Sequence, residues 1–213
     1  MMKGITFGNL HSYRDLKLVL GKKEIAAPNV KTTKLEIDGA DGFIDYTDFF
    51  GDVKYGETKL VFQFTVFVPQ NDFLSQYSIV KNALHGKKFS IILDDDPGIY
   101  YVGRCYVSNF TNEKGIGSIS VECECEPYKY KLNKTVVTQA VSGTKVISLT
   151  NGRKRAVPTI TTTAAMTITF GGGTWTPSAG TFIIPELELV EGINTVTVTG
   201  TGNITFTWQE GEL

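Results

Sequence analysis

The sequence has 213 residues, of which 41% are apolar and 20% charged, and its formal net charge is −1. This composition is typical of a folded protein with a substantial core, long enough for one large domain or two small ones. The near-zero charge excludes a general attraction to nucleic acid or to an anionic membrane. The sequence contains no stretch of roughly 18 apolar residues and no export leader behind the first lysine, so we expect synthesis and assembly in a cytoplasm.

The chain begins with β-prone residues at 5–7 and 16–20, which flank a polar stretch. His11, Arg14 and Asp15 in that stretch could take part in catalysis. No nucleophile or general base accompanies them at an informative spacing. A capped turn is therefore favoured over a catalytic site.

Alternating residues at 31–37 predict a further strand, followed by the glycine-rich turn at 38–42. Acidic side chains and glycines there could suit calcium, but no bidentate glutamate follows at the twelfth position of an EF-hand loop. A turn stabilised by Asx hydrogen bonds is the favoured interpretation. Residues 58–68 alternate again, and their second face is only partly polar, so we expect both faces of this strand to be covered.

Residues 71–104 predict a helix, a buried strand and a paired strand in succession. Phe73, Tyr77, Val80 and Leu84 recur at helical spacing, and Gly86 suits the left-handed residue that ends a helix. The β-prone residues 89–93 follow, and residues 99–104 return as the partner strand. This is the one strong helix that the sequence predicts.

Three consecutive carboxylates, Asp94, Asp95 and Asp96, lie between these two strands. Because adjacent strand residues point to opposite faces, the three cannot converge on one atom in regular backbone. The following Pro97-Gly98 favours a hairpin turn, with a cation site as the alternative.

Cys105, Cys123 and Cys125 form an odd set in a chain without an export leader. Strict alternation places Cys123 and Cys125 on one strand face with Ile119 and Val121. A thiolate metal site is one interpretation, but four ligands at zinc spacing are not available. Burial of three small apolar side chains in a core is favoured.

The composition changes near Glu126, after which threonine, glycine and short strands recur at regular intervals. We predict domains at residues 1–130 and 131–213, and a β-sandwich in the second. Its predicted strands are residues 146–149, 157–162, 166–170, 181–189, 193–199 and 204–208, with glycine-rich connections that include residues 200–202. The basic run Arg153-Lys154-Arg155 is interpreted as a solvated loop and not as a nucleic-acid site.

No nucleotide-binding, serine-hydrolase or zinc-protease motif is present, so neither an enzyme nor a cofactor is predicted. The alternative function is a carbohydrate-binding sandwich. Trp208 alternates in phase with Ile204 and Phe206 and is assigned to the core. Trp175 lies among turn residues and is the one candidate for sugar stacking.

The order of several short motifs resembles the distal tail protein (Dit) family of long-tailed phages and prophages. The motifs that carry this resemblance are His11-Ser12-Tyr13-Arg14-Asp15, Pro28, residues 37–42, residues 82–87, residues 94–104, Asn151-Gly152, Val157-Pro158-Thr159-Ile160, Gly192-Ile193-Asn194 and Gly200-Thr201-Gly202. Together they span nearly the whole chain. One departure is Tyr55-Gly56-Glu57-Thr58, where the family pattern has a basic residue after the tyrosine.

The resemblance implies a mainly β structural protein of the virion tail tip. Proteins of this family form a hexameric ring from their N-terminal domains, while a galectin-like or carbohydrate-module-like C-terminal sandwich projects outward. The ring joins the tail tube protein to a tail-associated hub protein, and receptor-binding or baseplate proteins dock on its periphery. DNA passes through the ring without sequence-specific binding. Exposed strand edges would gain partners in such an assembly.

Overall fold

A computed structural model describes residues 3–49 and 51–213. Met1, Met2 and Phe50 lie outside the described residues. The first two belong to the N-terminal stretch in which the sequence predicts no export leader. The chain divides into two compact units, one running to Tyr128 and including Leu213, the other Lys129–Glu212. No helix in the described ranges is long and apolar enough to cross a membrane.

The first unit contains most of the short strands and the helix. Its described elements are β1 (Ile5–Phe7), β2 (Leu10–His11), β3 (Leu18–Ile25), β4 (Val30–Lys31), β5 (Lys34–Glu36), β6 (Phe43–Asp45), β7 (Lys54–Tyr55), β8 (Thr58–Val66), a 3-10 turn (Gln70–Asp72), α1 (Phe73–Leu84), β9 (Lys88–Leu93), β10 (Asp96–Glu113) and β11 (Ile116–Cys125). The main sheet has the order β2-β1-β9-β10-β11-β8-β3, whereas β4 pairs with β7 and β5 with β6 in two separate ribbons.

Helix α1 forms where its apolar spacing predicts it. Phe73, Val80 and Leu84 are buried, and Gly86 takes a φ of 76° just beyond the last turn. Between these apolar positions Gln76 is also buried, and its amide donates to the Leu16 carbonyl at 2.6 Å. The helix is therefore fixed by apolar packing and by one buried hydrogen bond to the turn that precedes β3.

The core of the first unit is built by alternation along β8 and β11. Leu60, Phe62 and Phe64 from β8 are fully buried, together with the alternate residues of β11. Phe7 contacts Phe62 edge to face, with ring centroids 6.0 Å apart. Burial of one such ring stabilises the fold by about 2 kcal/mol. The second face of β8 is covered only in part, because Gln63 and, just past the strand, Phe67 are exposed.

The second unit is all β. Its elements are β12 (Lys129–Lys131), β13 (Thr135–Asn151), β14 (Thr159–Thr162), β15 (Met166–Phe170), β16 (Gly173–Trp175), β17 (Gly180–Ile183), β18 (Gly192–Trp208) and β19 (Gly211–Glu212). Strands β13 and β18 form a 17-residue antiparallel ribbon, with Thr135 opposite Trp208 and Asn151 opposite Gly192. The prediction of a mainly β protein with one α-helix is confirmed for the described residues.

The predicted turn at residues 200–202 is wrong, because β18 continues through it as one strand. Gly200 and Gly202 have φ values of 155° and 143°, which are accessible almost only to glycine. Gly200 lies opposite Gly143, also at positive φ, so the ribbon bends here. Before the bend β18 pairs with β15, and after it with β14. Because of the bend, side chains on one face of β18 contribute to the same core both before and after Gly200.

Two other strand limits differ from the sequence prediction. Residues 135–145 form the first part of β13, although only residues 146–149 were predicted as a strand. Strand β17 ends at Ile183 and does not reach residue 189. Pro185 follows shortly after and has no N–H to donate to a ladder.

Threonine covers the outward face of the second unit, as the alternation of β15 and β18 predicts. Thr144 and Thr199 hydroxyls lie 3.0 Å apart across the ribbon, and Thr161 and Thr181 hydroxyls 2.9 Å apart between β14 and β17. Cross-strand threonine pairs of this kind stabilise a sheet while its surface stays polar.

Candidate functional site

His11 and Asp94 form a partly buried polar cluster in the first unit. His11 Nε2 lies 3.0 Å from Asp94 Oδ2, and His11 Nδ1 accepts the backbone N–H groups of Tyr13 and Arg14, each at 3.2 Å. Since Nδ1 accepts, the ring proton resides on Nε2 and is donated to Asp94. Both ring nitrogens are therefore engaged in holding the turn.

Ser12 lies beside this histidine but is not activated by it. Its hydroxyl accepts the backbone N–H of Ile5 at 3.1 Å, and its side chain is fully buried. A Cβ on Gly4 would lie 2.6 to 2.8 Å from the His11 ring and the Ser12 hydroxyl, so the backbone of Gly4 packs directly against both side chains. The cluster supports the predicted capped turn, and it also holds Asp94, which is 83 positions away and which the sequence did not connect to it.

The first two of the three consecutive carboxylates have separate partners. Asp94 accepts from His11 and from the Gly4 backbone at 2.8 Å, whereas Asp95 pairs with Lys23. Burial favours the neutral form of Asp94, but the hydrogen bonds from His11 and Gly4 outweigh it and lower the pKa of that carboxyl. The hydrogen bond from Lys23 lowers the pKa of Asp95. Asp94 and Asp95 thus tether the β9–β10 turn to neighbouring segments, whereas Asp96 is already the first residue of β10.

The three cysteines lie in the core of the first unit, as predicted. Cys105 and Cys123 face each other on β10 and β11 with sulfur atoms 3.0 Å apart, and all three side chains are buried. Contact with Cys105 and burial both raise the pKa of Cys123, and burial raises the pKa of Cys125 to about 12. In the described residues no group of three or more His, Cys, Asp or Glu side chains is placed to hold a metal ion.

The basic run of the second unit is engaged within that unit. Arg155 pairs with Glu188 at 2.9 Å. The Lys154 Nζ donates to the Tyr130 hydroxyl at 2.8 Å and lies 4.5 Å from the centre of that ring. These contacts support a loop fixed to the surface of the sandwich.

The two tryptophans have different environments. Trp208 is 3% exposed, which confirms its assignment to the core, and its indole nitrogen has no hydrogen-bond partner among the described residues. Trp175 ends β16 opposite Ile168, is half-buried and packs against the core of the second unit. Its ring lies over Gly173, where an added Cβ would approach it to 2.3 Å. If Trp175 stacks on a sugar, only the part of its ring that is not covered by the core and by Gly173 is available for the contact.

An exposed arm is the largest feature of the first unit that its core does not explain. It consists of residues 26–57, which connect β3 to β8 and carry the nested ribbons β4–β7 and β5–β6. Leu35 lies opposite Ile44 in the β5–β6 ribbon, and the two side chains are 50% and 42% exposed. Phe43 and Phe49 are also exposed. The sequence predicted a strand and a turn here, but not that its apolar side chains are left uncovered.

The arm is also the most acidic segment of the chain. Residues 36–52 contain Glu36, Asp38, Asp41, Asp45, Asp48 and Asp52 and no lysine or arginine. Asp45 is held by the backbone N–H and hydroxyl of Thr47, which lower the pKa of that carboxyl. The arm therefore presents apolar side chains within a negatively charged segment.

The outward face of α1 combines exposed apolar side chains with cations. Leu74 and Ile79 are 68% and 51% exposed. At the end of the helix the Lys87 Nζ donates to the Asn82 carbonyl at 2.7 Å, and Arg104 donates to the Gly86 carbonyl. Lys81, one turn earlier, lies 5.3 Å from the centre of the Tyr77 ring. These cations stabilise the negative end of the helix dipole and give the surface a positive charge.

Comparison with known proteins identifies the fold. No protein-family model and no curated protein matches the sequence. A solved structure does match: the architecture is that of a phage distal tail protein. The crystal structure of the SPP1 Dit (gp 19.1) protein, described as a paradigm of the hub adsorption apparatus in Gram-positive infecting phages, superposes with a TM-score of 0.75. The match covers 100% of both chains at 16% sequence identity. The fold implied by the sequence resemblance is thus confirmed.

Proposed function

We propose that this chain is a structural distal tail protein of a phage or prophage, which builds a ring at the tip of the tail. The observation that carries the proposal is the full-length match to the SPP1 Dit fold, because it includes both units and leaves no segment over. The ordered motifs that resemble the Dit family support the same role from the sequence.

In this proposal six copies form the ring through their first units, and the second unit is the outward galectin-like sandwich. One ring face binds the tail tube protein and the other the tail-associated hub protein, with receptor-binding or baseplate proteins on the periphery. DNA passes through the opening on its way into the host. The protein is assembled in the host cytoplasm and ends at the virion tail tip.

A structural role is supported by the use of the reactive side chains. His11, Ser12 and Asp94 satisfy one another or the backbone, and the buried cysteines pack in the core. Their hydrogen bonds and packing stabilise the first unit.

Light scattering after size-exclusion chromatography at two concentrations, with negative-stain imaging of the heaviest species, tests the proposal. We expect a particle of about six times the 23.4 kDa chain mass, with an open centre wide enough for duplex DNA. A chain that remains monomeric at both concentrations contradicts self-assembly. That result would favour the carbohydrate-binding alternative, for which glycan binding abolished by Trp175→Ala is the decisive observation.

A further inference from the structure

We infer that the acidic arm of one copy docks on the basic outward face of α1 in the next copy. The inference rests on the proposed ring and names the two surfaces that would join its subunits. The arm is residues 26–57, and the receiving face is defined by Leu74, Lys81 and Lys87.

The arm has the properties of a segment that is completed by a partner. A two-stranded ribbon is marginally stable by itself in water and needs an apolar face packed on something else. In the part of the chain that the structure describes, β5 and β6 pair with each other alone, and Leu35 and Ile44 share one face of their ribbon. Ile37 follows on the same side by strand alternation and is also exposed.

The charge of the arm restricts what can cover this apolar face. Six carboxylates and no cation occur between Glu36 and Asp52, so an acidic or neutral surface would be repelled or poorly bound. The partner surface should therefore carry lysine or arginine beside exposed apolar side chains.

The outward face of α1 meets both requirements on the same chain. Leu74 offers apolar contact, Lys81 lies seven residues on and therefore on the same side of the helix, and Lys87 follows just after the helix ends at Leu84. Within the described residues these two lysines contact a ring and a carbonyl and form no ion pair with a carboxylate. Arg104 adds positive charge nearby, although Glu124 lies opposite it in the ladder, so the lysines are the better test positions.

The two surfaces are different parts of one unit, which fixes the type of assembly. A contact between unlike patches is head-to-tail, and repetition of it generates a closed ring when the rotation between copies closes. A self-complementary contact would instead stop at a dimer. The inferred contact is therefore of the kind that a ring requires.

Charge reversal provides the test. Asp38→Lys with Asp41→Lys reverses the charge at the tip of the arm, because these are the only charged residues between Ile37 and Ile44, and Lys81→Glu with Lys87→Glu reverses the helix face. Each variant alone should assemble with an apparent dissociation constant raised at least about tenfold, because like charges then meet at every contact. The four substitutions in one chain should restore assembly.

Mixing the two variants gives a stricter result. An equimolar mixture of arm-reversed and face-reversed chains should form oligomers in which the two alternate, although neither does so alone. Lys114→Glu with Lys134→Glu is the matched control, since both side chains are exposed and form no hydrogen bond or ion pair within the described residues, and it should assemble like the unmodified chain. Circular dichroism establishes that all variants are folded.

The outcomes separate the inference from the proposed function. If the unmodified chain forms rings and both reversed variants do so equally well, the inference is overturned and the ring stands. If the arm variant forms normal rings but loses binding to another tail protein, the arm belongs to that contact and the inference is again overturned. If the unmodified chain forms no oligomer, the proposed function fails, and this inference fails with it.

Discussion

His11 Nε2 and Asp94 Oδ2 lie 3.0 Å apart although the residues are 83 positions apart in the chain. This hydrogen bond joins the turn that follows β2 to the turn between β9 and β10. Because Nδ1 of the same ring accepts two backbone N–H groups of the first of these turns, the imidazole is a structural crosslink between the two.

Because of this crosslink, we expect the free energy of unfolding to decrease at acid pH. The pKa of Asp94 is lowered in the folded state, so its ionised form stabilises the fold above the unfolded-state value of about 3.9. This contribution is lost as the pH falls through the lower folded-state pKa. Asp94→Asn should therefore reduce the free energy of unfolding by about 1–2 kcal/mol near pH 6.

Urea unfolding of both chains at pH 6 and near pH 2 measures the effect. The difference between the two proteins should shrink towards the lower pH, because protonation of Asp94 leaves position 94 uncharged in both chains. A difference of the same size at the two pH values would contradict the assignment of Asp94 as the titrating partner.

Gly200 is a position in the second unit where we expect any larger side chain to be destabilising. Its φ of 155° suits glycine, and an added Cβ would lie 2.9 Å from the Met166 Cγ. Gly200→Ala should cost about 1–3 kcal/mol from the backbone conformation alone. Both tryptophans lie in the second unit, so tryptophan fluorescence during unfolding reports on this unit directly. Thr201→Ala, an exposed substitution at the same bend, is the control and should change stability little.

The cysteines should be unreactive in the folded protein. All three are buried, and the raised pKa values of Cys123 and Cys125 keep these thiols protonated near neutral pH. A disulfide reagent at pH 8 should label all three thiols rapidly in denaturant and far more slowly in the native chain. Rapid labelling of the native protein would show that β10 and β11 open locally.

Truncation of the two tryptophans to alanine should reduce the free energy of unfolding by very different amounts. Trp208→Ala removes a fully buried ring and should cost about 3–5 kcal/mol. Trp175→Ala removes a half-buried ring at the end of β16 and should cost less, while oligomer mass stays unchanged. Chemical unfolding and light scattering on the same samples check both expectations. Loss of oligomers in Trp175→Ala would place this side chain in an assembly contact.

The sequence alone determined the features that depend on local periodicity. The apolar stripe from Phe73 to Leu84 predicted α1, and the alternation that buries Cys123 and Cys125 predicted β11, since 3.6- and 2-residue repeats place side chains on one face whatever the rest of the chain does. Ordered motifs also led to the distal tail protein fold. Gly200 and Gly202 misled the prediction, because glycine serves a bend within a strand as well as a turn.

The tertiary structure decided what depends on partners distant in sequence. His11 appeared to belong to a local turn until Asp94 was placed beside it, because a hydrogen bond between such distant residues leaves no periodic signal. The same holds for the arm: the sequence shows apolar residues alternating with acidic ones, but only folding reveals that Leu35 and Ile44 remain uncovered. Burial is a property of the whole packed unit, so the candidate assembly surfaces became visible only in three dimensions.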